Sequence, residues 1–387
     1  MSITVSDVYH LPCMQSARIL TGDSGFTRPV CRMGILDYEY ISHKMEGEFI
    51  AGDFVLSSFL FARDDPRLFE DGIRTLIDHG VSMLGIKDVY YTDVPAALVD
   101  YAKANDFSIF LFSYDLFFET IIIDVGDALR QVEDSRLLEM KIDNLIENEL
   151  SPSLVQTLAL EINRSFHPCC FSAYLQRTES PDDGALYRLL DRISRWHSFR
   201  ACDSAFKYKN GILLIFTFTE ETKVDPATIA AECRAVVNLP PDSYCMGHSA
   251  LFSQLHHLNK AIQESLFAAK TAAIQRRTSL SYQQIGLYQA VFPCEQSYWL
   301  SRFRDRIILP LQEYDQKFST ELLATLIAYV DGEGSIRAAA QNLYQHENTI
   351  RYRIGRIREL LHMTDDNCQF YPQVCFAVFL YRAALFR

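Results

Sequence analysis

Apolar and polar positions alternate most regularly between Ser335 and Leu361. Ile336, Ala339, Ala340 and Leu343 recur at helical spacing behind Ser335, whose hydroxyl suits a helix N-cap. The small alanines let a second helix pack close. Tyr344, Gln345 and His346 are few enough to form the turn of a helix-turn-helix. The helical pattern resumes at about Glu347. At about 100° per residue, Ile350, Ile354, Ile357 and Leu361 share one side, which must face a core. Asn348, Tyr352, Gly355 and Arg356 fall on the opposite side, flanked by Arg351 and Arg358. Arg353 lies about 300° round from Ile350, nearer the core side, where it is suited to pairing with a carboxylate or capping carbonyls.

The N-terminal pattern is different. Apolar runs at 54–61, 81–86 and 108–112 read as strands. Helical patterns lie between them, one opening near Pro66 with Leu68, Ile73, Leu76 and Ile77, another near Pro95 with Leu98, Val99 and Ala102. Strands alternating with helices predict a mostly parallel sheet with right-handed crossovers. Such sheets bind ligands at the carboxyl ends of their strands, here residues 85–88 and 113–115. Lys87 and Asp115 are the candidate ligand contacts. Lys87 suits a ligand carboxylate or phosphate, and equally a solvated strand end.

Residues 127–150 are helical and heavily charged, with too few turns of apolar seam to establish a coiled coil. Ser151-Pro152-Ser153 breaks the pattern. A strand at 170–176, a polar loop reading ESPDDG with Asp182 and Asp183, and a helix through Leu186, Leu190 and Ile193 follow. A hairpin joins 201–208 to 212–218 at Lys209-Asn210-Gly211, where Asn-Gly is a strong turn signal. A helix at 226–237, a strand at 244–248 and a long helix at 257–275 complete a βαββαβ order, that of a ferredoxin-like or cyclase-like sandwich. Helices at 299–311 and 321–330 lead to the helix-turn-helix.

The chain has 387 residues, enough for several domains, and 49% hydrophobic residues, enough for sizeable cores. Its net charge of −12 excludes a general basic coating, but the charge is uneven. Residues 1–125 hold 9 Lys/Arg against 19 Asp/Glu, whereas residues 331–387 hold 7 against 6. Contact with a polyanion is therefore expected at the C-terminal end. The ten cysteines include no CxxC pair and no zinc spacing, as expected of reduced thiols in a cytoplasmic protein. No signal segment and no membrane-length apolar run are apparent; the tail at 374–385 is short and contains Arg382. No dinucleotide fingerprint or P-loop is present. His256 and His257, taken as adjacent helical positions, point about 100° apart and do not chelate. No metal and no cofactor is expected.

A helix with an apolar back and a front of Asn, Tyr and Arg suits a DNA major groove, where Asn pairs with adenine and Arg with guanine. Its wording, H-x-N-T-x-x-Y-R after A-A-x-x-L, resembles the C-terminal helix-turn-helix of the PucR-type transcription regulators. In that family this helix is the presumed DNA reader. The motif falls on His346, Asn348, Thr349, Tyr352 and Arg353. The family commonly has Arg where this chain has Glu347, which suits a helix N-terminus but repels phosphate. SITVSDVYHLP, GDFVLSS, SMLGIK and VPAALVDYAKANDFSIFLF resemble the family's N-terminal domain, implying a sensor for a small metabolite. MGHSALFSQLHHLNKAIQESLFAAKTAA resembles the GGDEF-like middle domain of sugar-diacid and PucR-type regulators. Where an active cyclase carries its acidic motif, this hairpin reads Tyr208-Lys209-Asn210-Gly211, so no cyclase activity is expected.

The expected architecture is α/β and α+β multidomain. It comprises an N-terminal α/β sensory domain (1–125), a linker helix (126–150), a ferredoxin-like, degenerate GGDEF-like middle domain (151–296) and an all-α helix-turn-helix domain (297–387). The expected function is that of a non-enzymatic regulator, dimeric or larger. Its partners are double-stranded DNA and a small effector. DNA contacts are assigned to His346, Asn348, Thr349, Arg351, Tyr352, Arg356 and Arg358. Two readings remain open beside it: a regulator acting through protein contacts, and a metabolite-processing enzyme with an appended helical module.

Overall fold

The computed structural model describes residues 3–37, 48–178, 183–220, 223–238, 243–364 and 369–385, so most of the ESPDDG loop, including Asp182, lies outside the described residues. The chain divides into two compact units, 1–140 and 141–387.

The first unit contains a five-stranded sheet. In chain order its strands are β1 (Arg18–Ile19), β2 (Arg32–Ile35), β3 (Asp53–Ser57), β4 (Met83–Lys87) and β5 (Ser108–Phe112), arranged β1-β5-β4-β3-β2. Strands β2 to β5 pair in parallel and β1 closes one edge antiparallel. Helices α1 (Pro66–Asp78) and α2 (Ala96–Ala104) provide the crossovers. Asp65 caps α1 by accepting from the Arg67 N–H. One sheet face packs Val55, Leu84, Ile86 and Ile109 against Ile73, Leu76 and Leu98. The other packs Phe54, Leu56, Phe110 and Phe112 against Ile121 and Val125 of helix α3 (Phe118–Glu147). The expected strand at 54–61 stops at Ser57, because Phe59 turns left-handed at φ 53° and its N–H is taken by the Ser57 hydroxyl. The linker helix starts at Phe118 rather than Asp127, since no breaker interrupts Ile121-Ile122-Ile123 and Ile121 is needed in the core.

The second unit holds α4 (Pro152–Ile162), then β6 (Cys169–Arg177), α5 (Asp183–Ser194), β7 (Ser204–Tyr208), β8 (Gly211–Phe218), α6 (Pro226–Val237), β9 (Tyr244–His248), α7 (Leu258–Ile274) and β10 (Ser279–Ser281). The sheet order is β10-β9-β6-β8-β7. Its first four βαββαβ strands thus run 4-1-3-2, with β6, β8, β7 and β9 antiparallel and β10 added in parallel. The hairpin turns on Lys209 and Asn210, with Lys209 left-handed at φ 49°. Gly211 is required for a different reason from the turn. A Cβ there would lie 2.3 Å from the Leu175 carbonyl oxygen and 2.7 Å from the Tyr174 ring. His256 and His257 are not on α7. They form a short 3-10 turn ahead of it, with ring centroids 4.3 Å apart.

Among the described residues, five helices follow: α8 (Tyr298–Phe318), α9 (Leu322–Asp331), α10 (Ile336–Asn342), α11 (Glu347–Leu360) and α12 (Phe370–Leu385). Their common core includes Leu311, Leu326, Ala339, Ile350, Ile354, Ile357 and Val374. Arg382 on α12 grips Asp331 at the end of α9 through two 2.7 Å hydrogen bonds.

Candidate nucleic-acid interface

Helix α10 begins at Ser335, whose hydroxyl accepts from the Ala338 N–H at 3.2 Å. It presents Ala339 and Ala340 to the core and ends at Leu343. Tyr344 then turns left-handed at φ 52°, a conformation that bulky residues rarely adopt. His346 caps α11, its Nδ1 accepting from the Asn348 N–H at 3.1 Å. That bond leaves the ring proton on Nε2, pointing the exposed imidazole outward as a donor. Glu347 follows in the first turn, where a carboxylate complements the positive end of the helix dipole.

The back of α11 is anchored by Ile350, Ile354 and Ile357, all buried. On the front, Asn348, Arg351, Tyr352 and Gly355 are exposed. Arg351 donates to Asn348 Oδ1 at 3.0 Å, so the two front groups orient one another. Tyr352 is 74% exposed, and nothing lies within 4 Å of where a Gly355 Cβ would sit. A groove wall can therefore approach the backbone at Gly355. Thr349 is half-buried at the edge, its N–H bonded to the His346 carbonyl.

The remaining arginines are held sideways. Arg353 donates to Glu321 Oε2 and Thr325 Oγ1, both at 3.1 Å, and so ties α11 to the start of α9. Arg356 bonds Glu359 at 2.7 Å and the Tyr314 hydroxyl at 3.3 Å, contacts that stabilise its charged form. Arg358 lies 4.5 Å over the Phe370 ring. Of the seven residues assigned to DNA, five (His346, Asn348, Thr349, Arg351 and Tyr352) line one continuous surface. Arg356 and Arg358 sit at its margins with intramolecular partners. Sequence reading passed over Tyr344, which is 96% exposed beside the front face. The available signal was a large aromatic residue in an otherwise polar turn.

At the other candidate site, Lys87 ends β4 with its Nζ 5.4 Å from the Phe117 ring centre and 5.6 Å from that of Phe118. Asp115 is solvent-facing, and no ion pair joins it to Lys87 among the described residues. Asp88, next to Lys87, has a buried Oδ1 without a hydrogen-bond partner. Among the described residues, no group of three or more potential ligands is placed to hold a metal ion.

Comparison with known proteins bears on both ends of the chain. Residues 7–129 match the purine catabolism regulatory protein-like family, and residues 322–377 match the PucR C-terminal helix-turn-helix domain. The proline-responsive transcriptional activator PutR of Bacillus subtilis (strain 168) is 25% identical over 217 residues, which is 53% of this chain and 53% of that protein. The DNA-binding transcriptional activator AdeR of the same organism is 21% identical over 113 residues, 28% of this chain and 27% of the relative. The chain thus spans about half the length of the first relative and about a quarter of the second. The crystal structure of a regulator of polyketide synthase expression from Bifidobacterium adolescentis aligns at 15% identity and a TM-score of 0.31, over 65% of this chain and 99% of that one.

Proposed function

We propose that this chain, with a PucR-type domain at residues 7–129 and a PucR helix-turn-helix at 322–377, is a transcription regulator that binds operator DNA in response to a small metabolite. The observation that carries the reading is the division of α11 into a buried isoleucine back and an exposed front of Asn348, Arg351 and Tyr352. Asn348 is suited to an adenine edge, Arg351 to guanine or phosphate, and His346, Thr349, Tyr344 and Tyr352 to the sugar-phosphate backbone. Arg356 and Arg358 border the same surface and add positive charge beside the phosphates.

One small helix-turn-helix reads a short half-site, so the working form is a dimer or larger on paired half-sites. The long helix α3 supplies a means of pairing. The metabolite sensor is the N-terminal sheet, at the carboxyl ends of β4 and β5, with Lys87 and Asp115 as contacts. A ligand there shifts DNA affinity only as far as it binds the DNA-competent state differently.

The middle domain is read as a degenerate GGDEF-like unit, on its βαββαβ order and the 4-1-3-2 strands. Lys209 at its hairpin is paired with Asp143 at 3.2 Å, and the turn itself supplies no carboxylate. We assign the protein no catalytic activity, no metal and no cofactor. None of the described helices is long and apolar enough to cross a membrane, and we place the regulator in the cytoplasm.

Footprinting the full chain on the DNA upstream of its own gene tests this reading. The expected result is two protected half-sites separated by whole helical turns, with occupancy altered by metabolites handled by neighbouring gene products. Binding no tighter than to unrelated DNA across a salt series would overturn it. That result would favour a regulator acting through protein contacts, for which exposed Glu347 is the supporting feature.

A further inference from the structure

The middle domain contains a cleft of about 1380 Å³. It is bounded by the end of α3, the β7–β8 hairpin, helix α7 and residues 292–296. Phe267 and Phe292, stacked with centroids 5.2 Å apart, form an apolar wall. Its volume exceeds the roughly 300–1,000 Å³ of ordinary small-molecule pockets, which leaves room for a ligand with several polar groups.

Two features of the lining indicate the chemistry of its occupant. The first is charge. Arg177, Lys209, Lys270, Arg276 and Arg277 line the cleft against Glu147 and Glu295. Lys209 is paired with Asp143, and Lys270 stands 3.9 Å from Glu295. Arg276 and Arg277 are exposed at the rim and make no side-chain ion pair among the described residues. The second is a pair of buried acceptors, Gln176 Oε1 and Asn210 Oδ1, which have no hydrogen-bond partner. Both residues line the cleft. Buried acceptors of this kind are rare unless something donates to them.

Two arginines after the C-terminus of α7 also complement its dipole, which accounts for their charge. That explanation leaves the cleft and the two acceptors unaccounted for. Arg276 is moreover left-handed at φ 52°, a conformation that glycine adopts at helix ends with less strain.

We propose that this cleft is a ligand site for a small molecule carrying phosphate or carboxylate groups together with hydroxyl or amide donors. The anionic groups meet the guanidinium forks at the rim. Rotation of the Gln176 and Asn210 amides, both residues of the lining, would bring their buried oxygens to these donors. This site is separate from the sensor proposed for the N-terminal sheet, and its test is read without DNA, so either proposal can fail alone.

The test is isothermal titration of the full chain with glucose 6-phosphate, gluconate and neutral glucose, with thermal melts alongside. The expected result is saturable binding of one or both anions, the stronger identifying the anionic group, with no binding of glucose. Arg276→Gln with Arg277→Gln is expected to weaken that binding at least tenfold with only a slight drop in the melt, from the lost complement to the α7 dipole; Arg277→Ala, the milder variant, is expected to weaken it less. No saturable binding of either anion, equal binding of glucose, or wild-type affinity in both variants would overturn the proposal.

Discussion

Helix α11 and the carboxyl ends of β4 and β5 are both read as contact surfaces, yet they are built in opposite ways. On α11 a single helical period separates the buried isoleucines from the exposed Asn348, Arg351 and Tyr352. At the strand ends no period operates, because each contributing residue follows a different strand. Lys87 there meets Phe117 and Phe118, about thirty positions along the chain, and Asp115 remains in solvent. A surface carried by one element can be read from its own sequence, whereas a surface assembled from several elements needs their packing.

Substitutions within α11 itself probe the separation of its two faces. The largest expected effect is on its back. Ile350 is fully buried, so Ile350→Ala should destabilise the helical domain by about 2–5 kcal/mol. Denaturant unfolding measures this, and any loss of DNA binding should track the unfolded fraction. A loss of DNA binding without a loss of stability would mean that the back and front are not separate.

Arg353 tests the boundary between the two faces. Its bonds to Glu321 and Thr325 hold α11 against α9, so Arg353→Ala should lower stability by about 1 kcal/mol. The ion-pair share is small because Glu321 is largely exposed. Thermal melts should show the loss, and operator affinity should fall only modestly. A wild-type melt with severely weakened binding would move Arg353 into the DNA-facing set.

Gly355 gives the smallest expected effect and the sharpest sign. With nothing near its missing Cβ, Gly355→Ala should stabilise the helix by about 0.5–1 kcal/mol in a melt. It should also weaken DNA binding if a groove wall comes close there. Greater stability with unchanged affinity would show that the groove does not approach this turn.

The same contrast explains what the sequence revealed. The isoleucine spacing separated core from surface on α11, and Ser335 lay where capping chemistry requires. The hairpin and the βαββαβ order were legible because Asn210-Gly211 separates two apolar runs. The sideways turn of Arg356 and Arg358 was not, since their partners Tyr314 and Phe370 come from α8 and α12. Long side chains choose among neighbours that helical periodicity does not contain. Strands β1 and β2 also escaped notice, being short, partly exposed edges without an apolar run. The orphaned acceptors of Gln176 and Asn210 are still less visible in sequence, because an unmet hydrogen bond exists only in a packed structure.

The front of α11 is proposed to read DNA. A salt-titrated binding series on Asn348→Ala and Arg351→Ala, with melts of each, tests it most directly. Both residues are exposed, so both variants should melt like the unsubstituted protein. Asn348→Ala should weaken operator binding by roughly 1–3 kcal/mol and relax selection at one base pair. Arg351→Ala should weaken binding similarly if it reads a base, or across all sequences with a salt slope lower by about one if it holds phosphate. Since Arg351 donates to Asn348 Oδ1, the double variant should lose less than the two single losses added. Operator binding indistinguishable from the unsubstituted protein in both single variants would mean that this face of α11 does not read DNA.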